Sequence, residues 1–144
     1  MSRAFVKDAE DGPEPVIDRP ISEAPNYVTP HGLAMLQDAL AKAQAHGNKR
    51  DTRYYEKRIE TALVVDPASQ PADVVHFGSI VVAKDGNGQT IRVQIVGEDE
   101  ANPAHGLISH VSPIAQALLD HRSGDRVTVP RPAGAISYTV IEIS

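Results

Sequence analysis

The side chains best placed to do chemistry in this 144-residue chain lie in one short stretch, Gly47-Asn48-Lys49-Arg50-Asp51-Thr52-Arg53, with Glu56 just beyond it. Asp51 and Glu56 carry carboxylates of the kind that hold Mg²⁺, a hard cation bound through one or two carboxylates plus phosphates and waters. Lys49, Arg50 and Arg53 surround them. Three positive charges beside Asp51 make a poor cradle for a dication. The same cations suit phosphate oxygens or the carboxylates of a partner. Asp51 also has a purely local reading, as the cap of a following helix.

Two other stretches carry polar chemistry. Glu98-Asp99-Glu100 is an acidic turn, read either as a contact surface or as a solvated loop. Ser109-His110-Val111-Ser112-Pro113 follows, and there Ser112 can cap a helix that Pro113 starts. The six histidines (His31, His46, His76, His105, His110 and His121) show no paired ligand spacing for a metal. The chain has no Cys, which excludes disulfides and thiolate chemistry. It also lacks Ser/His/Asp triad spacing and a Gly-rich phosphate loop. These residues point to a binding protein, with no catalytic residues, metal or cofactor of its own.

The elements that must carry these residues are legible. Residues 1–26 hold four prolines among six acids and three bases, without periodicity, and read as a flexible acidic tail. Thr29-Pro30 is a helix start, with Thr29 as N-cap and Pro30 at the first helical position. Leu33, Leu36, Leu40 and Ala43 continue it as one apolar stripe, and Gly47-Asn48 ends it. A second helix is expected over Asp51–Leu63, with Tyr55, Ile59, Ala62 and Leu63 as its stripe. Two helices joined by so short a loop run antiparallel, so 27–66 is a helical hairpin, a short coiled coil. Its first arm would be roughly 25 Å long at 1.5 Å per residue.

Residues 67–74, with Pro67 and Pro71, read as a linker. From residue 75 to 144 the period is two. Ile80 and Val82, then Ile91, Val93 and Ile95, alternate across the turn Asp85-Gly86-Asn87-Gly88. A helix through Leu119, then strands at Val127–Val129 and Ile136–Ile143, complete an antiparallel sheet with one helix. The fold class is α+β.

Composition narrows the function further. The net charge of −5 argues against a dedicated duplex-DNA binder. Residues 31–62, with six Lys and Arg against four Asp and Glu, are the basic part. No apolar run approaches the ~20 residues of a membrane span, and the first residues lack an apolar signal core, so a cytoplasmic protein is expected.

In chain order, the motifs are Val28-Thr29-Pro30-His31-Gly32-Leu33, Lys57-Arg58-Ile59, Phe77-Gly78, Ile95-Val96-Gly97, Asp99-Glu100-Ala101, Ile108-Ser109, Ser112-Pro113-Ile114-Ala115, Ala117-Leu118-Leu119, Gly124-Asp125 and Pro132-Ala133-Gly134. Together these resemble the bacterial Gre (GreA/GreB) transcription elongation factors over about residues 27–144. The resemblance implies an FKBP-like C-terminal domain that docks at the secondary channel of RNA polymerase, and a hairpin inserted into that channel. It places Asp99, Glu100, Ser109, Val111, Ser112 and Pro113 near the polymerase-contacting surface. Val111 stands where relatives often carry a polar or acidic residue.

The tip implied by the resemblance comprises Asn48, Lys49, Arg50, Asp51, Arg53 and Glu56. In the family, tip carboxylates help hold Mg²⁺ in the polymerase, which then cleaves its own transcript. RNA or DNA would be met only inside that complex. Two departures stand out: both hairpin arms are shorter by about two heptads, and the acidic tip loop has become mostly basic. A shortened arm reaches roughly 20 Å less far. The resemblance therefore extends to the Rnk group, polymerase-binding regulators with a short hairpin and no cleavage activity. A free-standing protein-interaction module is the alternative from another class. Prolyl isomerase activity is excluded, because only Phe77 and Tyr138 could line an aromatic pocket after residue 70.

Overall fold

A computed structural model describes residues 17–144. The first sixteen residues of the expected tail lie outside the described residues. The chain enters through β1 (Tyr27–Val28) and α1 (Pro30–Ala45), turns at Gly47, and returns through α2 (Lys49–Glu60) into β2 (Leu63–Val64). α1 begins as its sequence requires: the Thr29 hydroxyl accepts from the Gly32 N–H at 2.9 Å, and Pro30 fills the first position. Leu36 and Ala43 from its stripe are buried.

α2 corrects the expected bounds at both ends. It starts at Lys49, because Asn48 is the cap and its Oδ1 accepts from the Asp51 N–H at 3.0 Å. Asp51 is not the cap but the reciprocal partner three residues on, accepting from Asn48 Nδ2 at 2.9 Å. The helix stops before Thr61, and Leu63 leaves the stripe. The Leu63 N–H pairs with the Asn26 carbonyl at 2.8 Å and the Val65 N–H with the Val28 carbonyl at 2.9 Å, so the residue joins a parallel β1–β2 ribbon and stays 50% exposed.

After a 3₁₀ turn at Pro67–Ser69 come β3 (Ile80–Asp85), β4 (Thr90–Val96), a second 3₁₀ turn (Pro103–His105), β5 (Leu107–Ser109), α3 (Pro113–Leu118), β6 (Arg126–Val129) and β7 (Ile136–Ile143). The sheet order is β5-β4-β3-β7-β6. The expectation of an antiparallel sheet holds for β3–β4, β3–β7 and β6–β7, but β4–β5 is parallel, so the sheet is mixed. The physical reason is the connection over residues 97–106. It is long enough to carry the chain back before Leu107 pairs, whereas a two-residue turn would have forced reversal.

Val81 and Ala83, not Ile80 and Val82, occupy the buried face of β3. Register decides this, because Val81 lies opposite Val93 and Ala83 opposite Ile91. The core joins these residues to Val75, Ile95, Ile108, Val127 and Val140, closed over by Ala115 and Leu118 of α3.

Candidate functional site

Three sets of residues singled out by sequence fall in three different places. The first, Ser109–Pro113, bridges β5 and α3. The Ser109 carbonyl accepts from the Ser112 N–H at 3.0 Å and from the Ser112 hydroxyl at 2.7 Å. The Ser112 hydroxyl accepts in turn from the Ala115 N–H at 3.3 Å, capping α3. The Val111 N–H donates to Ser109 Oγ at 3.3 Å, and Gln116 Nε2 donates to the His110 carbonyl at 2.7 Å. This loop is held in one shape by its own hydrogen bonds. It presents Val111, 42% exposed, and Pro113 to solvent.

His110 points the other way. It is buried edge-on against Tyr27 and Phe77, with ring centroids 5.4 Å and 5.6 Å away. Burial lowers its pKa from the usual imidazole value, against the opposing pull of the Glu98 carboxylate. By spacing in the sequence His110 is only an unpaired histidine. The apolar partners that fix it, Tyr27 and Phe77, lie 83 and 33 positions away in the chain.

The acidic turn is largely withdrawn from solvent, with Glu100 buried and Glu98 and Asp99 half-buried. Asp99 accepts from Arg58 Nε at 2.6 Å and from the Tyr54 hydroxyl at 2.5 Å. Arg58 is 1% exposed. Glu100, 7% exposed, accepts from the Thr29 hydroxyl at 2.6 Å and pairs with His31 Nδ1 at 3.1 Å. The two carboxylates thus tie the sheet to both helices of the hairpin. Burial, then the bond to Asp99, pushes the Tyr54 phenol up to about 12.

Close packing completes the joint. A Cβ on Gly97 would sit 2.4 Å from the Tyr27 carbonyl oxygen, and one on Gly32 would sit 2.7 Å from Glu100 Oε1. Asn26 Nδ2 donates to the Arg58 carbonyl at 2.7 Å, closing the base of the hairpin. Sequence gave no sign that Arg58, Tyr54, Thr29 and Asn26 form this joint, because their partners are 32 to 71 residues distant.

The tip is the third place. Lys49, Arg50, Arg53 and Glu56 are exposed. Both Asp51 oxygens are engaged: Oδ1 accepts from Arg19 Nη1 at 3.0 Å, and Oδ2 accepts from Asn48 Nδ2. A carboxylate already shared by a guanidinium and an amide, with three further cations around it, does not fit a Mg²⁺ ligand. Among the described residues, no three His, Cys, Asp or Glu side chains gather in a way that could hold a metal ion. No helix among them is long and apolar enough to cross a membrane.

The family model described as "Transcription elongation factor, GreA/GreB, C-term" matches residues 70–144, more than half of the chain. This chain belongs to the GreA/GreB family. It is 36% identical over 114 residues to a transcription elongation factor GreA of Nitratiruptor, a match covering 74% of this chain and 70% of the relative. The GreA of Alkalilimnicola ehrlichii is 36% identical over 124 residues, covering 73% and 78% of the two chains. The GreB of Neisseria meningitidis is 31% identical over 155 residues, covering 85% of this chain and 95% of that one. That last span exceeds the 144 residues present here, so this relative carries residues within the match that this GreA/GreB-family chain lacks.

Proposed function

We propose that this protein is an RNA polymerase-binding elongation regulator that docks through its C-terminal part and extends a short hairpin into the secondary channel. Support for docking comes from the family match over residues 70–144, the part that contains the Ser109–Pro113 loop. That loop is rigid before it meets a partner, so little ordering entropy is lost when it binds. Its exposed members are small and apolar, with Val111 at the apex. On this reading Ser109, Val111, Ser112 and Pro113 make the contact, while Asp99 and Glu100 act indirectly by setting the hairpin's angle.

The working division is a lead segment (1–26), the hairpin (27–66), a linker (67–74) and an FKBP-like C-terminal domain (75–144). The protein acts in the cytoplasm and meets RNA or DNA only within the polymerase complex. Any Mg²⁺ involved belongs to the polymerase.

One observation favours a second, narrower reading, that of a Rnk-like regulator without transcript-cleavage stimulation. Asp51, the tip carboxylate inside the loop, is committed to Arg19 and Asn48, its neighbours Lys49, Arg50 and Arg53 are basic, and only Glu56 beyond them is an exposed acid of the tip. Such a tip is suited to hold RNA phosphate or polymerase carboxylates rather than to help position a metal. The 16- and 12-residue arms also limit reach, to roughly 24 Å for the longer one. The decisive experiment for docking is co-purification with core polymerase. Retention of the wild-type chain, with loss on Val111→Arg, is the expected result. No retention of the wild-type chain would leave the free-standing interaction module as the reading.

A further inference from the structure

Residues 17–21 carry chemistry that the docking proposal does not use. Arg19 reaches α2 from 32 positions upstream. Its guanidinium carbon lies 3.8 Å from the centroid of the Tyr54 ring and 5.4 Å from that of Tyr55. The two rings meet edge to face at 5.4 Å and form two walls. Asp51 supplies the anion, with Oδ1 3.0 Å from Arg19 Nη1. Positions 51, 54 and 55 stand at the i, i+3, i+4 spacing that gathers side chains on one helix face. An aromatic face for the flat cation and a carboxylate for its N–H edge is how proteins recognise a guanidinium. Next door, Arg53 Nη1 donates to Asp18 Oδ1 at 3.2 Å.

The surface continues past Arg19 as a groove of about 420 Å³, lined in part by Met35, Leu36, Tyr55 and Glu98. Glu98 Oε2 is buried there without a hydrogen-bond partner. The groove is therefore acidic and aromatic on the flank of a hairpin whose tip is basic.

We propose that Asp51, Tyr54 and Tyr55 form a guanidinium-binding site filled from within, so that residues 17–21 act as a removable strap over the flank of the hairpin. The strap has no deep anchor. Arg19 and Asp51 side chains keep 31% and 33% of their surface, and Ile17 and Ile21 remain exposed. An exposed ion pair and a partly exposed cation–π contact each shift such an equilibrium by only a few-fold. The strap is closed most of the time and opens readily. While closed, it covers Asp51 and the tyrosine face, and an arginine on another chain takes the site only by displacing Arg19.

The test uses the full-length chain without polymerase, so its outcome is independent of the docking proposal. Backbone ¹⁵N relaxation of Asp18, Arg19 and Ile21 and the chemical shifts at Asp51 and Tyr55 are compared for wild type, Arg19→Lys and Arg19→Ala. Ordered values in wild type, coil-like values in Arg19→Ala and intermediate ones in Arg19→Lys are expected. Methylguanidinium is then titrated into Arg19→Ala. Saturable return of the Asp51 and Tyr55 shifts toward wild type is expected, with Kd on the order of 10–100 mM for one ion pair and one cation–π contact. Sodium chloride at the same ionic strength should not restore them. Equal mobility of residues 18–21 in wild type and Arg19→Ala overturns the strap, and absence of saturable methylguanidinium binding overturns the site.

Discussion

The joint between hairpin and sheet and the tip of the hairpin both consist of charged side chains, and they use charge in opposite ways. At the joint, Asp99 and Glu100 each face two donors, and Arg58 and Glu100 are nearly removed from water. At the tip, Lys49, Arg50, Arg53 and Glu56 remain in solvent, and Asp51 beside them is covered by bonds to Arg19 and Asn48. Buried paired charge fixes geometry, because removing one partner strands the other. Exposed charge contributes little to stability and remains available to a partner. On the proposed function, that difference divides the work: the joint orients the hairpin, and the tip meets what the hairpin reaches.

Breaking the joint should therefore cost the most. Arg58→Ala leaves Asp99 and the Tyr54 hydroxyl without their cation and should lower unfolding free energy by about 3–5 kcal/mol, read by urea denaturation. A loss below about 1 kcal/mol would mean that the pair is solvated in solution. Gly97→Ala should follow, at about 1–3 kcal/mol, because the added methyl meets the Tyr27 carbonyl, which is backbone and cannot swing away. The same measurement checks it, and Gly86→Ala, whose Cβ would meet nothing within 4 Å and whose backbone is not left-handed, is the control for a glycine lost away from the joint.

These two predictions also show what the sequence could reveal. The Thr29 cap, the first helix, the Asp85–Gly88 turn and the C-terminal strands were legible because each rests on residues within a turn or two of one another. The joint was not legible. Arg58 and Glu100 have types that normally face water, and only the fold brings their partners near. The same limit explains Leu63, whose apolar side chain continues the helical stripe by spacing. Its backbone instead found the Asn26 carbonyl of a strand formed thirty-odd residues earlier. At the tip, sequence located the basic loop but could not show that Arg19 covers Asp51.

A smaller effect should come from pH. His110 is buried and its pKa is lowered on folding, chiefly by desolvation, so the unfolded chain binds more protons than the folded one around the ordinary imidazole value. Stability from this residue is present above about pH 6.5 and declines as pH falls through that value. His110→Gln should flatten the slope of stability between about pH 7 and 5. An unchanged slope would place the titration elsewhere. The smallest effect should come from the tip: Lys49→Glu with Arg50→Glu should change unfolding free energy by less than about 0.5 kcal/mol, since neither side chain is buried. The same pair should weaken retention on core polymerase at low salt. A large stability loss would erase the contrast between the two regions.

The central claim is that the joint aims a hairpin whose tip no longer supports cleavage. It is tested most directly by adding the purified protein to stalled, backtracked elongation complexes and following transcript length. The account predicts that the protein binds these complexes and leaves the RNA uncut. Shortened transcripts that depend on the protein and disappear with Asp51→Ala would contradict it.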